Sequence, residues 1–287
     1  MNKSVSGLLK WSAQIIADQP DLSYQAPALE ARLMLEHVIQ KNHAWMITNA
    51  EEQLSQDTVE HFEALLKQRI NGKPLAFILG KQSFWDLELF VEPCTLIPRQ
   101  DTETLIEAVL EHDFPDKTKV LDLGTGTGAI AIVLAKENPS WEISAVDKIV
   151  DAVVLAEKNA VLNKVKIDCH QSDWFSFFSK SNNIRFDLIV ANPPYVESNS
   201  PYLQQGDLRF EPMSALASGA DGLDDIRYII ETAQQYLNDD AFLFLEHGHE
   251  QHLRIAEILL DHGYTNIQHR HDYGKKVRVT YAKFRSN

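Results

Sequence analysis

Residues 186–195 read Phe-Asp-Leu-Ile-Val-Ala-Asn-Pro-Pro-Tyr, an apolar strand that runs straight into Asn192, Pro193, Pro194 and Tyr195. Two consecutive prolines supply no N–H donor and fix φ, so they end a strand ladder and hold nearby carbonyls in a rigid, unpaired direction. The Asn192 side-chain oxygen and the Pro193 main-chain oxygen can then face one point. Two convergent acceptors suit an NH₂ group with two donors, and the Tyr195 ring suits the flat amide or aromatic ring that bears it. Such a nitrogen is a poor nucleophile because its lone pair is delocalised. Acceptors that draw on its hydrogens as it pyramidalises favour the transition state over the ground state. The chemistry indicated is group transfer to a conjugated nitrogen with Asn192, Pro193 and Tyr195 as catalytic candidates. Positioning can contribute about 7–11 kcal/mol to such a transfer, and no strong base is needed before attack. The bland alternative is a Pro-Pro turn that closes a strand.

A second candidate is the segment 120–128, Val-Leu-Asp-Leu-Gly-Thr-Gly-Thr-Gly, which joins a strand to a helix. Its glycines allow positive φ and close approach of backbone to ligand, so Gly124, Thr125, Gly126, Thr127 and Gly128 are cofactor-binding candidates. Asp147, 23 residues after Gly124, ends the next strand and can accept from both hydroxyls of a ribose. Gly124, Gly126 and Ala129 also satisfy G-x-G-x-x-G/A, so the loop by itself leaves a dinucleotide, another nucleoside cofactor and a tight structural turn open. Asp122 would repel a pyrophosphate but could order the loop or attract an ammonium or sulfonium cation. S-adenosylmethionine carries both cations and no phosphate. Ser172, Asp173 and Trp174 follow a further strand. There, Asp173 would accept from an adenine amino group with Trp174 as an apolar wall, or Ser172 or Asp173 would cap a helix with a buried Trp behind it.

These residues need a scaffold of alternating elements. Apolar strands are expected at 120–123, 143–146, 166–171, 186–191 and 241–245, with helices at 129–137 and 151–162. That order predicts an α/β parallel sheet covered by helices on both faces, with ligands beyond the strands' carboxyl ends. Residues 84–91 alternate apolar and acidic side chains, which predicts a strand in a hairpin or bridge. Residues 1–71 carry apolar positions at helical spacing and read as four or so short helices. The last of these, capped by Ser55 or Asp57, stops at Gly72-Lys73-Pro74. The expected domains are 1–72, helical and recognising substrate; 73–98, a linker with a hairpin; and 99–287, catalytic.

The chain has 287 residues with 27 basic and 41 acidic side chains, and its net charge of −14 has the wrong sign for broad contact with phosphate backbones. No apolar run approaches the ~18 residues of a membrane span, and residues 1–10 lack a signal-peptide pattern, so a cytoplasmic location is expected. Cys94 and Cys169 fit neither a disulfide framework nor a zinc site. Residues 246–252, Glu-His-Gly-His-Glu-Gln-His, lack H-E-x-x-H spacing and read as a solvated helix start with no metal. Six basic residues between Arg270 and Arg285 read as a solvated strand face rather than an RNA contact.

The glycine loop and Asn192 to Tyr195 together resemble class I S-adenosylmethionine-dependent methyltransferases acting on amino groups. The Asn-Pro-Pro-Tyr motif is shared with adenine-N6 DNA enzymes and some rRNA guanine enzymes. Residues 72–80 (Gly-Lys-Pro-Leu-Ala-Phe-Ile-Leu-Gly), Phe84-Trp85, and 95–99 (Thr-Leu-Ile-Pro-Arg) with Asp101, Thr102 and Glu103 are similar to the linker region of bacterial protein-glutamine methyltransferases. Residues 203–212, 245–248 and 272–274 narrow the resemblance to the enzymes that methylate glutamine N5 of peptide chain release factors. It covers nearly all of 72–285. Gln100 departs from it, standing where these enzymes usually have proline, which loosens a φ restraint.

The resemblance implies a Rossmann-like, mostly parallel seven-stranded sheet, a small N-terminal helical domain and a β-hairpin linker. It implies S-adenosylmethionine as cofactor, leaving as S-adenosylhomocysteine, held by Gly124 to Gly128, Asp147, Asp173, Trp174 and Asn192. Asn192, Pro193, Pro194 and Tyr195 would hold the glutamine of a release factor's Gly-Gly-Gln motif. Release factors are the implied partners, with neither membrane nor direct nucleic-acid contact. The rivals are a glutamine methyltransferase of a ribosomal protein, an adenine-N6 or guanine-N2 nucleic-acid methyltransferase, and a cofactor-binding module without chemistry.

Overall fold

The computed structural model describes residues 2–19, 26–180 and 184–285. Contacts group the chain into two compact units, 1–80 with 204–210, and 81–203 with 211–287.

The first unit contains α1 (Val5–Ala17), α2 (Pro27–Ile39), α3 (His43–Thr48), α4 (Gln56–Ile70) and the short α5 (Leu75–Leu79). Small polar residues start three of these helices by satisfying an otherwise orphaned amide: Ser4 accepts from Gly7, Asn42 from Trp45 and Ser55 from Thr58. Ser55, not Asp57, is therefore the cap of α4. Leu8, Ile16, Met34, Leu35 and Phe62 pack into one fully buried core. Within it lies a two-pronged ion pair, with Arg69 Nε 2.7 Å from Glu30 Oε2 and Arg69 Nη2 3.2 Å from Glu30 Oε1.

The second unit opens with a hairpin, β1 (Lys81–Phe84) and β2 (Leu87–Phe90). The expected strand at 84–91 is thus corrected: Phe84 pairs with Leu87, and Trp85 and Asp86 form the turn. Trp85 has φ +55°, a conformation an indole rarely signals from sequence. There follow α6 (Glu103–Leu110), β3 (Lys119–Leu123), α7 (Ala129–Glu137), β4 (Glu142–Asp147), α8 (Val150–Leu162), β5 (Asp168–Gln171) and β6 (Phe186–Ala191). The chain ends with α9 (Asp224–Ala233), β7 (Leu237–Glu246), α10 (His252–Asp261), β8 (Thr265–His271) and β9 (Val277–Lys283). β5 is two residues shorter at its start than expected, and β7 is longer at both ends.

The sheet has seven strands in the order β5-β4-β3-β6-β7-β9-β8, all parallel except β9, which is antiparallel to both neighbours. β3 and β6 read as continuous apolar runs because each is covered on both faces, one layer holding Leu105, Ile132 and Leu134 and the other Ile226, Ile230 and Ile255. From β3 the chain winds outward to β4 and β5, then returns to place β6 on the other side. The paired ends Leu123 and Ala191 mark this reversal. Loops diverge there, and an α/β sheet opens a ligand crevice at such a point.

Candidate active site

The glycine loop leaves β3 at this reversal with Gly124 at φ +70° and Gly126 at φ +55°. A Cβ on Gly124 would sit 3.4 Å from the Trp174 ring, so a side chain there would fill the crevice wall. The loop is pinned from below. The Thr125 hydroxyl donates to Asp122 Oδ2 at 2.6 Å, and the Gly126 and Ile149 amides donate to the two Asp147 oxygens at 2.9 Å each. Burial pushes the Asp122 carboxyl up to about 7 against the opposing pull of Thr125 and Ala131. Its Oδ1 has no partner at hydrogen-bond distance among the described residues. Burial raises Asp147 as well.

A cavity of about 380 Å³ lies above the loop, lined by Gly124 to Thr127, Asp147, Asp173, Trp174, Asp225, Asn192 and Pro194. Gly128, Pro193 and Tyr195 stand off this wall. Gly128 begins α7 with φ +83°. Pro193 is buried, and Tyr195 packs on the core with its phenol donating to Glu246 Oε1 at 3.3 Å. At 172–174 Ser172 acts as the cap, and Trp174 lines the cavity. Ser172 Oγ accepts from the Phe177 amide at 3.0 Å, while Trp174 faces the cavity and its indole N–H donates to Asp225 at 3.1 Å. Asp173 pairs with Lys148 at 2.9 Å. The Asn192 amide nitrogen donates to Thr102 Oγ1 at 3.1 Å, which turns the amide oxygen away from that hydroxyl.

Residues 100–205 match the family described as the methyltransferase small domain, and residues 8–80 match the PrmC N-terminal domain. A release factor glutamine methyltransferase of Aliivibrio fischeri is 40% identical over 285 residues, 99% of each chain. One of Escherichia coli is 42% identical over 261 residues, 91% of this chain and 93% of its own. The chain belongs to the release factor glutamine methyltransferase family.

Among solved structures, a Thermus thermophilus 16S rRNA N2 G1207 methyltransferase in complex with AdoMet and guanosine shares the fold, with TM-score 0.52 and 20% identity. The overlap covers 71% of this chain and 50% of that one. In this member of the glutamine methyltransferase family the cavity wall carries three carboxylates, Asp147, Asp173 and Asp225, against one ammonium, Lys148, already paired with Asp173. That balance repels a pyrophosphate and favours a cationic ligand.

Four residues around the site were given no part in it by the sequence: Thr102 on Asn192, Glu246 on Tyr195, Asp225 on Trp174, and Gln251. The Gln251 side chain donates to the Tyr195 carbonyl at 3.1 Å. Glu246 and His247 correct the reading of 246–252 as a solvated helix start. Both are buried, Glu246 ending β7 and His247 bonded to Thr280 at 2.7 Å, and only His249 and Glu250 are exposed. Burial lowers His247 to about 4 and keeps it neutral. Among the described residues no three His, Cys, Asp or Glu side chains group to hold a metal, and no helix is long and apolar enough to cross a membrane. Four of the six basic residues near the C-terminus are tied to acids: Arg270 to Glu111, Arg278 to Asp101 and Asp272, and Lys283 and Arg285 to Asp240.

Proposed function

We propose that this protein transfers a methyl group from S-adenosylmethionine to the side-chain amide nitrogen, N5, of the glutamine in a release factor's Gly-Gly-Gln motif. The observation that carries the reading is the meeting, on one cavity wall, of the glycine loop and the outward-turned Asn192 amide. The acidic wall and the space a Gly124 side chain would fill both fit a cationic nucleoside without phosphate. Gly124 to Gly128, Asp147, Asp173 and Trp174 would hold it. When bound, S-adenosylmethionine supplies an electrophilic methyl group on a positively charged sulfur.

The chain's own groups do the rest. Asn192 Oδ1 and the Pro193 carbonyl accept the two amide hydrogens, and Pro194 limits how the glutamine side chain can lie. As the nitrogen attacks, its hydrogens become more acidic and both acceptor contacts strengthen, which lowers the barrier. The amide then gives one proton to water. Tyr195 is not the base, because burial and the neighbouring Glu246 raise its phenol and keep it protonated. It serves instead to anchor the strand end.

A single glutamine offers too little surface to select one protein among many. Residues 1–72 would supply the missing contact, and Ile47, 66% exposed on α3, is the most exposed large apolar side chain among their described residues. Ile47→Glu should raise KM for intact release factor several-fold and leave KM for a short Gly-Gly-Gln peptide unchanged. Equal effects on both would remove the helical unit from recognition. The cytoplasm, where release factors act, is the corresponding location. The deciding experiment offers labelled S-adenosylmethionine with release factor, ribosomal protein and duplex DNA in separate reactions. Label on release factor glutamine is expected; label on DNA or ribosomal protein alone overturns the reading.

A further inference from the structure

The side chains that decide which way the Asn192 amide faces lie behind the cavity wall. An amide's oxygen and nitrogen have nearly the same shape, so the hydrogen-bond partner, not packing, chooses between them. That partner is Thr102, 5% exposed, whose Oγ1 accepts from Asn192 Nδ2 at 3.1 Å. A hydroxyl can also donate. A threonine free to do so would hold the flipped amide, through Asn192 Oδ1, equally well.

Glu246 removes that freedom. It is 1% exposed at the end of β7; the Tyr195 phenol donates to its Oε1 at 3.3 Å, and the nearby Thr102 hydroxyl helps to hold its carboxyl down against burial. Its Oε2 has no partner at hydrogen-bond distance, which keeps a strong acceptor available to the Thr102 proton. With that proton drawn to Glu246, Thr102 shows only lone pairs to Asn192. The amide must then turn its NH₂ inward and its oxygen toward the cavity. We infer that Thr102 and Glu246 are positioning residues, a directed chain from Asn192 through Thr102 to Glu246 that aims the Asn192 oxygen at the acceptor nitrogen. The inference rests on the reading that this oxygen receives the substrate amide.

The chain runs in this direction only while Glu246 is a carboxylate. Burial pushes Glu246 up to about 7 and Asp101 adds to the rise, while Thr102, Tyr195 and Arg278 oppose it. These groups face it from the turn before α6, from the segment after β6 and from β9. Arg278 is itself divided between Asp101 at 2.9 Å and Asp272 at 3.1 Å, and His247, next along the chain, stays neutral. A protonated Glu246 donates to Thr102, which donates on to Asn192 Oδ1 and flips the amide away from its substrate.

The test measures kcat for release factor at saturating S-adenosylmethionine from pH 5.5 to 9, cofactor affinity by calorimetry, and the unfolding midpoint. Wild-type kcat should fall as the pH drops through about 7, and Glu246→Gln should abolish that limb. Asp122 titrates in the same range, but it lies under the cofactor loop and would act on KM for the cofactor. Thr102→Val keeps the shape without the hydroxyl. It should lower kcat about 10- to 100-fold and leave cofactor affinity within about threefold, while Thr102→Ser restores kcat. A flat wild-type kcat profile overturns the inference even if the valine variant does not fold. So does wild-type kcat in Thr102→Val, a serine variant as impaired as the valine one, or cofactor affinity falling in step with kcat. Wild-type enzyme that methylates no release factor at any pH removes the functional reading itself, and the inference with it.

Discussion

Asn192 and Asp147 line the same cavity; on the proposed reading they divide the work, and their substitutions should separate it. Asn192→Ala removes an acceptor that strengthens only as the amide reacts, so kcat should fall about 100- to 1000-fold while the dissociation constant for S-adenosylmethionine stays within a few-fold. A parallel loss of cofactor affinity would contradict the assigned role. Asp147 holds the Gly126 and Ile149 amides. Asp147→Ala leaves both donors without their acceptor and unpins the loop, so cofactor affinity should drop about tenfold or more; calorimetry showing unchanged affinity would detach Asp147 from the cofactor. The candidates Asn-Pro-Pro-Tyr and the spaced glycines were legible because each stands in local order, and the fold brings Gly124 to Thr127, Asn192 and Pro194 to one cavity. Thr102 was not, because it meets Asn192 across 90 positions and only the sheet topology joins them. Glu246 was hidden by the exposed histidine and glutamate that follow it.

Where the elements are built from side chains buried on two faces, as in β3 and β6, their sequence runs are unambiguous. β8, Thr-Asn-Ile-Gln-His-Arg-His, is an edge strand with one partner and little burial, so nothing apolar announces it. The hairpin was expected, but its second strand was begun at Phe84 instead of Leu87 because alternation continues through Trp85, which the backbone turns into φ > 0. The strand end that carries Asn192 depends on a neighbouring turn in a way no periodicity reveals. A Cβ on Gly222, at φ +72°, would lie 2.3 Å from the Tyr195 carbonyl oxygen and 2.8 Å from Gln251 Nε2. Backbone cannot yield there as a flexible side chain can. Gly222→Ala should therefore shift the Asn192 to Tyr195 segment and lower kcat by about 100-fold, the order expected from a displacement near 1 Å. Wild-type kcat in a folded Gly222→Ala variant would show that the segment tolerates the shift.

The molecule as a whole has accepted buried acids that work against its stability at neutral pH. Asp122 ordinarily titrates at 3.8 and Glu246 at 4.5, and burial moves both to about 7 in the fold. Between those values the native state holds protons that the unfolded chain has released, so stability falls as pH rises through this window. Asp147 shifts in the same direction. His247 opposes them, since its value drops from 6.5 to about 4 and the native state is the one lacking a proton there. That gain is complete by about pH 6.5, above which only the two carboxylates continue to titrate. A net charge of −14 adds self-repulsion that grows as acids ionise. Ligand-free protein should therefore melt about 5 °C higher at pH 5.5 than at pH 8, on the order of 3 kcal/mol for two carboxylates less one histidine. The double variant Asp122→Asn, Glu246→Gln should lose most of this slope and gain stability chiefly at pH 8. A midpoint equal or higher at pH 8 in the wild type, or an unchanged slope in the double variant, would mean that both acids are ionised at little cost. The price of the directed site is then paid elsewhere than in these two carboxylates, and the orientation of Asn192 would be independent of pH across the same range.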